Sequence, residues 1–362
     1  MPDFIVIGGG LIGMLTAREL AMEGHSVSLL EQGSTGRESS WAGGGIVSPL
    51  YPWRYADSIT RLASWSQQNY PALAQNLQLE SGIDPEYSRN GLLVLEPGDT
   101  DLALAWAGKT PQAVETLNAE AIGDCEPALE TPTDNAIWLP EVAQIRNPRL
   151  VKACRGTINE RVEIREQVTV TELMVEKGSV LGVRTTTGQL SAPNVIVCAG
   201  AWSGKLLQPY LTSPRIEPVM GQMILFRARP ETQRRIVLHN DRYLIPRRDG
   251  RILVGSTLEY TGFEKLTTQA ARDSLAAYAR DRFPYLRDAE IEHHWAGLRP
   301  GSPQGIPYIG PVPQVEGLFV NAGHFRNGVV LGPASVRLLT DLILERDPIL
   351  PPQPYAMDAL RA

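Results

Sequence analysis

Three glycines near the N-terminus have the spacing of a phosphate-binding turn. Gly8, Gly10 and Gly13 follow the pattern G-x-G-x-x-G directly after an apolar stretch, and Glu31 ends the next apolar stretch. In such a turn the first glycine allows a tight bend, the second lets the backbone approach a pyrophosphate, and the third allows a helix to pack closely on a strand. The helix N-terminus offers N–H groups and a partial positive charge. An acidic residue in the place of Glu31 binds ribose hydroxyls and disfavours NADP, so these residues predict a dinucleotide site.

A second glycine-rich segment, SSWAGGGIVSP at residues 39–49, is too long for a plain connection. Its backbone amides could wrap a bulky ring system. The glycine motif alone does not decide between FAD and NAD, and this segment favours the larger ring of a flavin.

Arg299 is the side chain whose surroundings best suit carboxylate binding. It stands between an apolar run and Pro300-Gly301, where a strand is expected to end and a loop to open. A guanidinium there can hold a carboxylate through two parallel hydrogen bonds. Tyr243 could donate a further hydrogen bond to the same carboxylate. From the residues alone, a structural arginine and an ordinary strand tyrosine remain open alternatives.

The composition excludes several classes of protein. The chain has 362 residues, a formal net charge of −6 and 43 % hydrophobic residues, which is typical of globular proteins and gives no sign of a basic nucleic-acid-binding surface. No apolar run approaches the length of about 20 residues that a membrane span requires, and no cationic segment precedes the first apolar stretch, so we expect no signal peptide. Cys125, Cys154 and Cys198 have no metal-ligand spacing. We expect a cytoplasmic protein without a metal site.

The elements that must position these residues are of two kinds, strand–helix–strand units and series of strands. Residues 3–7, 11–23 and 26–30 read as strand, helix and strand, a unit that predicts a parallel sheet. Residues 33–49 read as a loop. Further strands are expected at residues 91–95, 136–139, 162–170, 173–177, 181–186, 194–199, 223–227, 243–246, 251–257 and 317–321, and further helices at 56–80, 150–160, 268–283 and 333–345. The strands after residue 216 suggest an antiparallel sheet backed by helices, and the tail from Asp347 is expected to be peripheral.

Four separated motifs resemble the D-amino-acid oxidase-like FAD family, in particular its glycine oxidase branch. They are VIGGGLIG with LLE, SSWAGGGIVSP, NVIVCAGAWS, and WAGLRPGSPQGIPYIGP followed by NAGHFRNGVVLGPAS. The resemblance implies an α/β Rossmann-like FAD-binding domain with a parallel sheet, made of residues 1–80, 141–215 and 296–362. It implies a smaller α+β substrate-binding domain with an antiparallel sheet, made of residues 81–140 and 216–295.

The same resemblance assigns roles to residues of this sequence. It implies that Arg299 grips the substrate carboxylate, with Arg326 and Tyr243 as further catalytic and substrate-binding residues, and that Leu258 lies over the substrate where relatives also have methionine. His324 is expected to line the flavin through its backbone rather than act as a base. The residues expected to bind non-covalent FAD are Gly8, Gly10, Leu11, Ile12, Gly13, Glu31, Gln32, Ser39, Ser40, Gly44, Gly45, Ile46, Val168, Ala199, Gly200, Trp202, His324, Phe325, Arg326, Asn327, Gly328, Val329 and Val330.

The resemblance also implies an activity. We expect oxidation of glycine, sarcosine or small D-amino acids to the oxoacid, ammonia and hydrogen peroxide, with a link to the thiazole of thiamine through glycine imine. A homotetramer is implied as well. The alternatives are a D-amino-acid dehydrogenase that reduces a quinone, and a flavin-binding protein without turnover. A flavin subunit of a tRNA-modifying enzyme is disfavoured by the acidic charge balance.

Overall fold

The computed structural model describes residues 1–130, 133–210 and 216–361. Residues 131–132, 211–215 and 362, which the predicted domains include, lie outside the described residues. In the described part, the α-helices are α1 (Leu11–Met22), α2 (Ser39–Ala42), α3 (Asp57–Ser81), α4 (Thr100–Ala107), α5 (Ala119–Cys125), α6 (Asn147–Ile158), α7 (Ser203–Leu207), α8 (Gln269–Arg282) and α9 (Gly328–Ile343).

The strands of the same residues form four sheets. They are β1 (Phe4–Ile7), β2 (Val27–Leu30), β3 (Ser88–Arg89), β4 (Leu92–Val94), β5 (Glu115–Asn118), β6 (Asn135–Leu139), β7 (Ala143–Gln144), β8 (Glu163–Arg165), β9 (Val170–Glu176), β10 (Ser179–Thr185), β11 (Gly188–Ser191), β12 (Asn194–Val197), β13 (Glu217–Phe226), β14 (Ile236–His239), β15 (Arg242–Pro246), β16 (Ile252–Gly255), β17 (Ile291–Gly301), β18 (Tyr308–Pro311) and β19 (Leu318–Ala322).

The first sheet is the predicted Rossmann-like sheet. Its order is β18-β19-β12-β1-β2-β8, and every neighbouring pair except β18–β19 is parallel. β1, with the sequence FIVI, is buried along its whole length because both faces of the sheet are covered. Phe4 and Val6 pack under α1, α3, α6 and α9, whereas Ile5 and Ile7 pack against the antiparallel sheet β11-β10-β9.

The second large sheet is the predicted antiparallel one. Its order is β17-β13-β16-β15-β14-β4-β6-β5, and its pairs are antiparallel except β14–β4. One face packs on α8, and the other face places Met223 and Tyr243 in a cluster with Ile46. β17 continues through residue 295, so this strand crosses the predicted domain boundary.

Four predicted elements differ from the structure. The tail from Asp347, expected to be peripheral, buries Tyr355 and Met357 in the hydrophobic cores on the two faces of the parallel sheet. The single strand expected at residues 162–170 is wrong: β8 ends at Arg165 and β9 begins at Val170. Between them Gln167 has a φ of +60°, and the N–H of Val168 turns to bond the carbonyl of Glu31. The loop expected at residues 33–49 contains the short helix α2.

The C-terminal helix begins five residues earlier than the predicted start at Pro333. A proline inside a helix leaves the carbonyl four residues before it without a partner. That carbonyl belongs to Val329, and it accepts a hydrogen bond of 2.7 Å from the Tyr70 hydroxyl of α3. The tyrosine therefore replaces the missing bond, and the helix continues through Pro333.

Among the described residues, no helix combines the length and the apolar character needed to cross a bilayer.

Candidate active site

A cavity of about 450 Å³ is lined by residues of both large sheets. Its walls include the turn between β1 and α1 at one end and Tyr243 of β15 with Arg299 of β17 at the other. Every residue predicted to bind the cofactor lines this cavity except Gly13 and Val330. Val330 is instead buried in the hydrophobic core among α1, α3 and α9.

The turn after β1 has the geometry that the glycine motif predicts. Gly8 has a φ of +107°, which favours glycine, and its N–H bonds the carbonyl of Leu30. A Cβ on Gly13 would lie 1.9 Å from the carbonyl oxygen of Gly8, so glycine at this position permits the close approach of α1. The N–H groups of Ile12 and Gly13 have no protein partner within the described chain. They are free to bind a phosphate at the positive end of α1.

The Glu31 carboxylate is held in the wall beside this turn. One oxygen accepts a hydrogen bond of 2.8 Å from the N–H of Gly9, and the other accepts one of 2.8 Å from the N–H of Gly33. Burial raises the pKa of Glu31, and these two backbone bonds oppose the rise. Each carboxylate oxygen has a second lone pair available for a ribose hydroxyl.

The glycine-rich segment that includes Gly43, Gly44 and Gly45 is fixed by a buried arginine that sequence reasoning missed. Arg247 Nη2 donates to the carbonyl of Gly44 at 2.7 Å. Its Nη1 donates to Gln144 Oε1 at 2.6 Å and to the carbonyl of Ile145 at 3.3 Å. Burial lowers the pKa of Arg247 to about 10. In the sequence, the one feature that links Arg247 to the predicted site is its position four residues after Tyr243.

Arg299 lies half-buried at the other end of the cavity. Its Nη1 donates to the carbonyls of Met220 (3.2 Å) and Thr257 (3.3 Å). Its Nη2 donates to Ser256 Oγ at 2.7 Å. A guanidinium has five N–H donors, so these bonds orient the group and leave donors for a carboxylate. Burial lowers the pKa of Arg299, and the nearby charge of Arg326 lowers it further, while Tyr243 acts in the opposite direction.

The space for this guanidinium depends on a glycine. A Cβ on Gly221 of β13 would lie 2.3 Å from both terminal nitrogens of Arg299. The side chain of Tyr243 is confined in the same way, because Cβ atoms on Gly44 and Gly255 would lie 3.1 and 2.8 Å from its ring. Tyr243 is 6 % exposed, and its hydroxyl is 3.9 Å from the sulfur of Met223.

The other two predicted substrate residues have different positions. Arg326 lines the cavity, and its Nη1 lies 3.5 Å from the carboxylate of Asp241. Leu258 is 40 % exposed and is not part of the cavity wall, so the structure does not bring it to the site. It follows the cavity-lining residue Ser256 by two positions, and the chain leaves β16 at Gly255.

His324 lies in the turn before α9, and its imidazole is buried in the core. Its Nε2 lies 3.0 Å from Ser335 Oγ inside the core, and the residue is 2 % exposed. Burial lowers the pKa of His324 to about 3. The imidazole is therefore neutral at physiological pH, and the expectation that His324 lines the flavin through its backbone stays a prediction.

Two asparagines in the cavity wall have side-chain polar atoms that suit a polar ligand. The side-chain amide of Asn321 and the Nδ2 atom of Asn327 are buried without a hydrogen-bond partner within the described residues. Both residues line the cavity. Buried amides are normally satisfied, so these atoms fit a group that the protein binds there. Asn321 and Asn327 both belong to the motif NAGHFRNGVVLGPAS, but only Asn327 was predicted to bind the cofactor. No pattern distinguished Met223 or Ser256.

This combination defines a class: a dinucleotide-binding protein whose parallel sheet holds the nucleotide while a separate antiparallel sheet presents a guanidinium to a second ligand. The family model described as FAD dependent oxidoreductase matches residues 3–342. The chain belongs to this family, and FAD is its cofactor. The phosphate-binding turn, Glu31 and the unpaired asparagine amides fit the two ends of FAD.

Individual relatives agree over almost the whole length. The chain is 49 % identical to the glycine oxidase of Pseudomonas aeruginosa over 354 residues, which cover 97 % of each chain. It is 30 % identical to the bifunctional protein ThiO/ThiG of Trichormus variabilis over 358 residues, covering 96 % of this chain and 54 % of that protein. The crystal structure of the glycine oxidase from Geobacillus kaustophilus matches with a TM-score of 0.94 at 27 % identity, covering 100 % of this chain and 99 % of that one. The predicted family and fold class are confirmed.

Proposed function

We propose that this protein is a glycine oxidase. Glycine, oxygen and water would give glyoxylate, ammonia and hydrogen peroxide, and sarcosine and small D-amino acids would be further substrates. The observation that carries the proposal is the oriented guanidinium of Arg299 in the same cavity as the phosphate-binding turn. The similarity to the Pseudomonas aeruginosa glycine oxidase supports the same conclusion.

In this proposal the protein positions its substrate through the carboxylate. Arg299 would bind it with its remaining N–H donors, and the Tyr243 hydroxyl would donate one further hydrogen bond. Fixing the carboxylate also fixes the neighbouring Cα–H, so that the loss of a hydride from Cα would be nearly intramolecular. When bound, FAD supplies the two-electron acceptor for the hydride that leaves Cα. The resemblance also predicts Arg326 as a second substrate contact, and the ion pair of Arg326 with Asp241 argues against that role for a substrate with one carboxylate.

Proton transfer would not require a histidine. His324 is neutral and its Nε2 is bonded to Ser335, so it would not act as the base for the substrate amine. The amine would enter in its neutral form, and water would hydrolyse the resulting imine. The positive end of α9, which Asn327 does not cap with its side chain, would stabilise negative charge in the cavity.

We propose that the cofactor is held without a covalent bond. Cys198 is the cysteine that lines the cavity, and burial raises the pKa of its thiol to about 12. A thiol that stays protonated is a poor nucleophile. Protein precipitated by heat should therefore release yellow flavin into the supernatant, and flavin that remained with the pellet would contradict this assignment.

The test of the function uses the visible spectrum of the purified protein. Glycine should bleach the flavin band without oxygen, and turnover in air should yield hydrogen peroxide. Bleaching without oxygen consumption would instead identify a dehydrogenase with another acceptor. A flavin that no small amine bleaches would refute the substrate assignment.

A matched pair of variants tests the role of Arg299. Arg299→Ala should raise KM for glycine at least about 100-fold, because a buried charged hydrogen-bonded pair contributes several kcal/mol. FAD should stay bound. Arg229→Ala removes the same charge from an exposed side chain and should leave KM unchanged. A near-normal KM in Arg299→Ala would show that the carboxylate binds elsewhere.

The cellular setting is also a proposal. Cys125, Cys154 and Cys198 are free thiols, which suits a reducing cytoplasm. Similarity to a ThiO/ThiG protein supports a supply of glycine imine to thiamine thiazole synthesis. We propose a homotetramer, and light scattering after gel filtration would measure its mass.

A further inference from the structure

The hairpin between β14 and β15 places Asp241 beside the cavity-lining residue Arg326. Its two-residue loop, Asn240 and Asp241, has φ angles of +50° and +59°, the signature of a type I′ turn. The N–H of Asn240 bonds Glu96 Oε1 at 2.6 Å, and the N–H of Asp241 bonds the Tyr51 hydroxyl at 3.0 Å. The position of Asp241 is therefore set by backbone geometry and by two side chains outside the turn.

The partner of this carboxylate is Arg326. Its Nη1 lies 3.5 Å from Asp241 Oδ1, and its Nε is buried without a partner within the described chain. The side chain of Arg326 is 23 % exposed and that of Asp241 is 61 % exposed. Arg326 also lies close enough to Arg299 to lower the pKa of that guanidinium. Two cationic groups thus share this end of the cavity, and one of them already has a carboxylate.

We propose that Asp241 determines substrate specificity by occupying Arg326. With Arg326 neutralised, Arg299 is the guanidinium left for the substrate, which matches an amino acid that carries one carboxylate. A second carboxylate on the substrate would compete with Asp241 for Arg326, and the negative charge of Asp241 would repel it. This inference rests on the proposed function, because it assumes that substrates bind Arg299 through a carboxylate.

The experiment compares Asp241→Asn with the wild-type holoenzyme on two secondary amines. Sarcosine carries one carboxylate and iminodiacetate carries two. Asparagine adopts positive φ readily, so the turn should persist. The ratio of kcat/KM for iminodiacetate to that for sarcosine should rise at least about 10-fold in the variant, an effect in the range measured for close charge pairs.

A binding measurement keeps the test independent of turnover. The dissociation constants of acetate and malonate, read from the flavin absorbance, should diverge in Asp241→Asn, with malonate bound at least about 10-fold tighter than by the wild type. The further change Arg326→Met in the same chain should abolish that gain. Asp241→Gly, which also suits the turn, should reproduce the effect if the asparagine variant folds poorly.

Asp273→Asn is the matched control. Asp273 is exposed on α8, which covers the face of the sheet opposite the Tyr243 cluster, and its substitution changes the net charge equally. It should change neither the substrate ratio nor malonate binding. Unchanged ratios and unchanged malonate binding in Asp241→Asn would overturn the inference. If the wild type did not oxidise glycine at all, the proposed function would fall, and malonate binding would still decide the role of Asp241.

Discussion

At the scale of single residues, the site depends on small side chains as much as on reactive ones. Arg299 is held by backbone carbonyls and by Ser256, but it can lie there only because Gly221 has no Cβ. Gly255 does the same for Tyr243. Neither glycine is part of the cavity wall, but each leaves the space that a side chain of the site occupies.

Gly221→Ala should reduce activity without much loss of stability. The new methyl group would collide with the far end of a flexible side chain, so the Arg299 guanidinium can move away at little cost. A displacement of about 1 Å at a reacting group can reduce the rate about 100-fold. We expect kcat/KM for glycine to fall about 10- to 100-fold and the melting temperature to stay within about 2 °C, since alanine in a strand is favoured over glycine by roughly 0.5–1 kcal/mol.

Gly98→Ala is the control for that substitution, because a Cβ on Gly98 would meet no atom within 4 Å. Its kcat/KM should equal that of the wild type. If Gly221→Ala were as active as Gly98→Ala, the position of Arg299 would not control catalysis.

His324 should make the protein sensitive to acid. Burial lowers its pKa from 6.5 to about 3 in the folded state, so the unfolded chain binds the proton first as the pH falls. The folded state is unaffected above about pH 7 and is progressively destabilised between pH 6.5 and pH 3. Between pH 7.5 and pH 5 this group alone should remove about 2 kcal/mol of the free energy of unfolding.

Urea unfolding of the holoenzyme at those two pH values measures the effect. His324→Gln has no titrating group there, and its loss of stability on acidification should be smaller than that of the wild type by about 2 kcal/mol. Ser335→Ala removes the partner but keeps the histidine, so it should retain the wild-type acid loss. Equal acid losses in all three proteins would mean that His324 is protonated in the folded state.

At the scale of elements, a feature could be predicted from the sequence when the residues that determine it lie close together in the chain. The β1–α1 turn was predictable because its glycine spacing, its helix and Glu31 lie close together in the chain. The start of α9 was not, because the hydroxyl that bonds the carbonyl of Val329 comes from Tyr70, far away in sequence. The break between β8 and β9 depends likewise on a bond to Glu31.

The same distinction holds for the site. Arg299 and Tyr243 were predicted because their motifs resemble those of a known family, and they line the cavity. Arg247 and Asp241 were missed, because a buried arginine and a turn aspartate gain their roles only from the glycine segment and Arg326 that the fold brings to them. Leu258 shows the reverse case, since its motif suggested a place over the substrate, whereas the residue is 40 % exposed and is not part of the cavity wall.

Gly13→Ala tests whether α1 must approach β1 closely for cofactor binding. The methyl group would meet the carbonyl oxygen of Gly8 at 1.9 Å, and backbone cannot move aside as a side chain can. We expect α1 to shift, the unfolding free energy to fall by about 1–3 kcal/mol and the affinity for FAD to fall at least about 100-fold. Fluorescence titration of the apoprotein with FAD measures the affinity.

Gly123→Ala in α5 is its control, because a Cβ there would meet nothing within 4 Å. This variant should be more stable by roughly 0.5–1 kcal/mol, as alanine is in helices generally, with unchanged FAD binding. Full FAD affinity in Gly13→Ala would show that the turn tolerates a wider separation of helix and strand.

At the scale of the whole molecule, the cavity is where the two large sheets meet. Glu31 and Gln32 follow β2 of the parallel sheet, while Met223 and Tyr243 belong to the antiparallel sheet, and all four line one space. A ligand that reaches from the first pair to the second therefore contacts both sheets. It binds the folded protein and not the unfolded chain, so its binding free energy adds to stability.

Because the cavity extends from Glu31 to Tyr243, it predicts which flavin stabilises the protein. The adenosine half of FAD is predicted to bind at the Glu31 end, and FMN has no such half. Free FAD at about 1,000 times its Kd adds about 4 kcal/mol, which for a chain of this size raises the melting temperature of the apoprotein by about 5 °C. FMN leaves the Glu31 end unfilled and should raise it by less than about 1 °C at the same concentration. An equal shift with FMN would mean that the Glu31 end contributes no binding energy, and that the flavin end alone joins the two sheets.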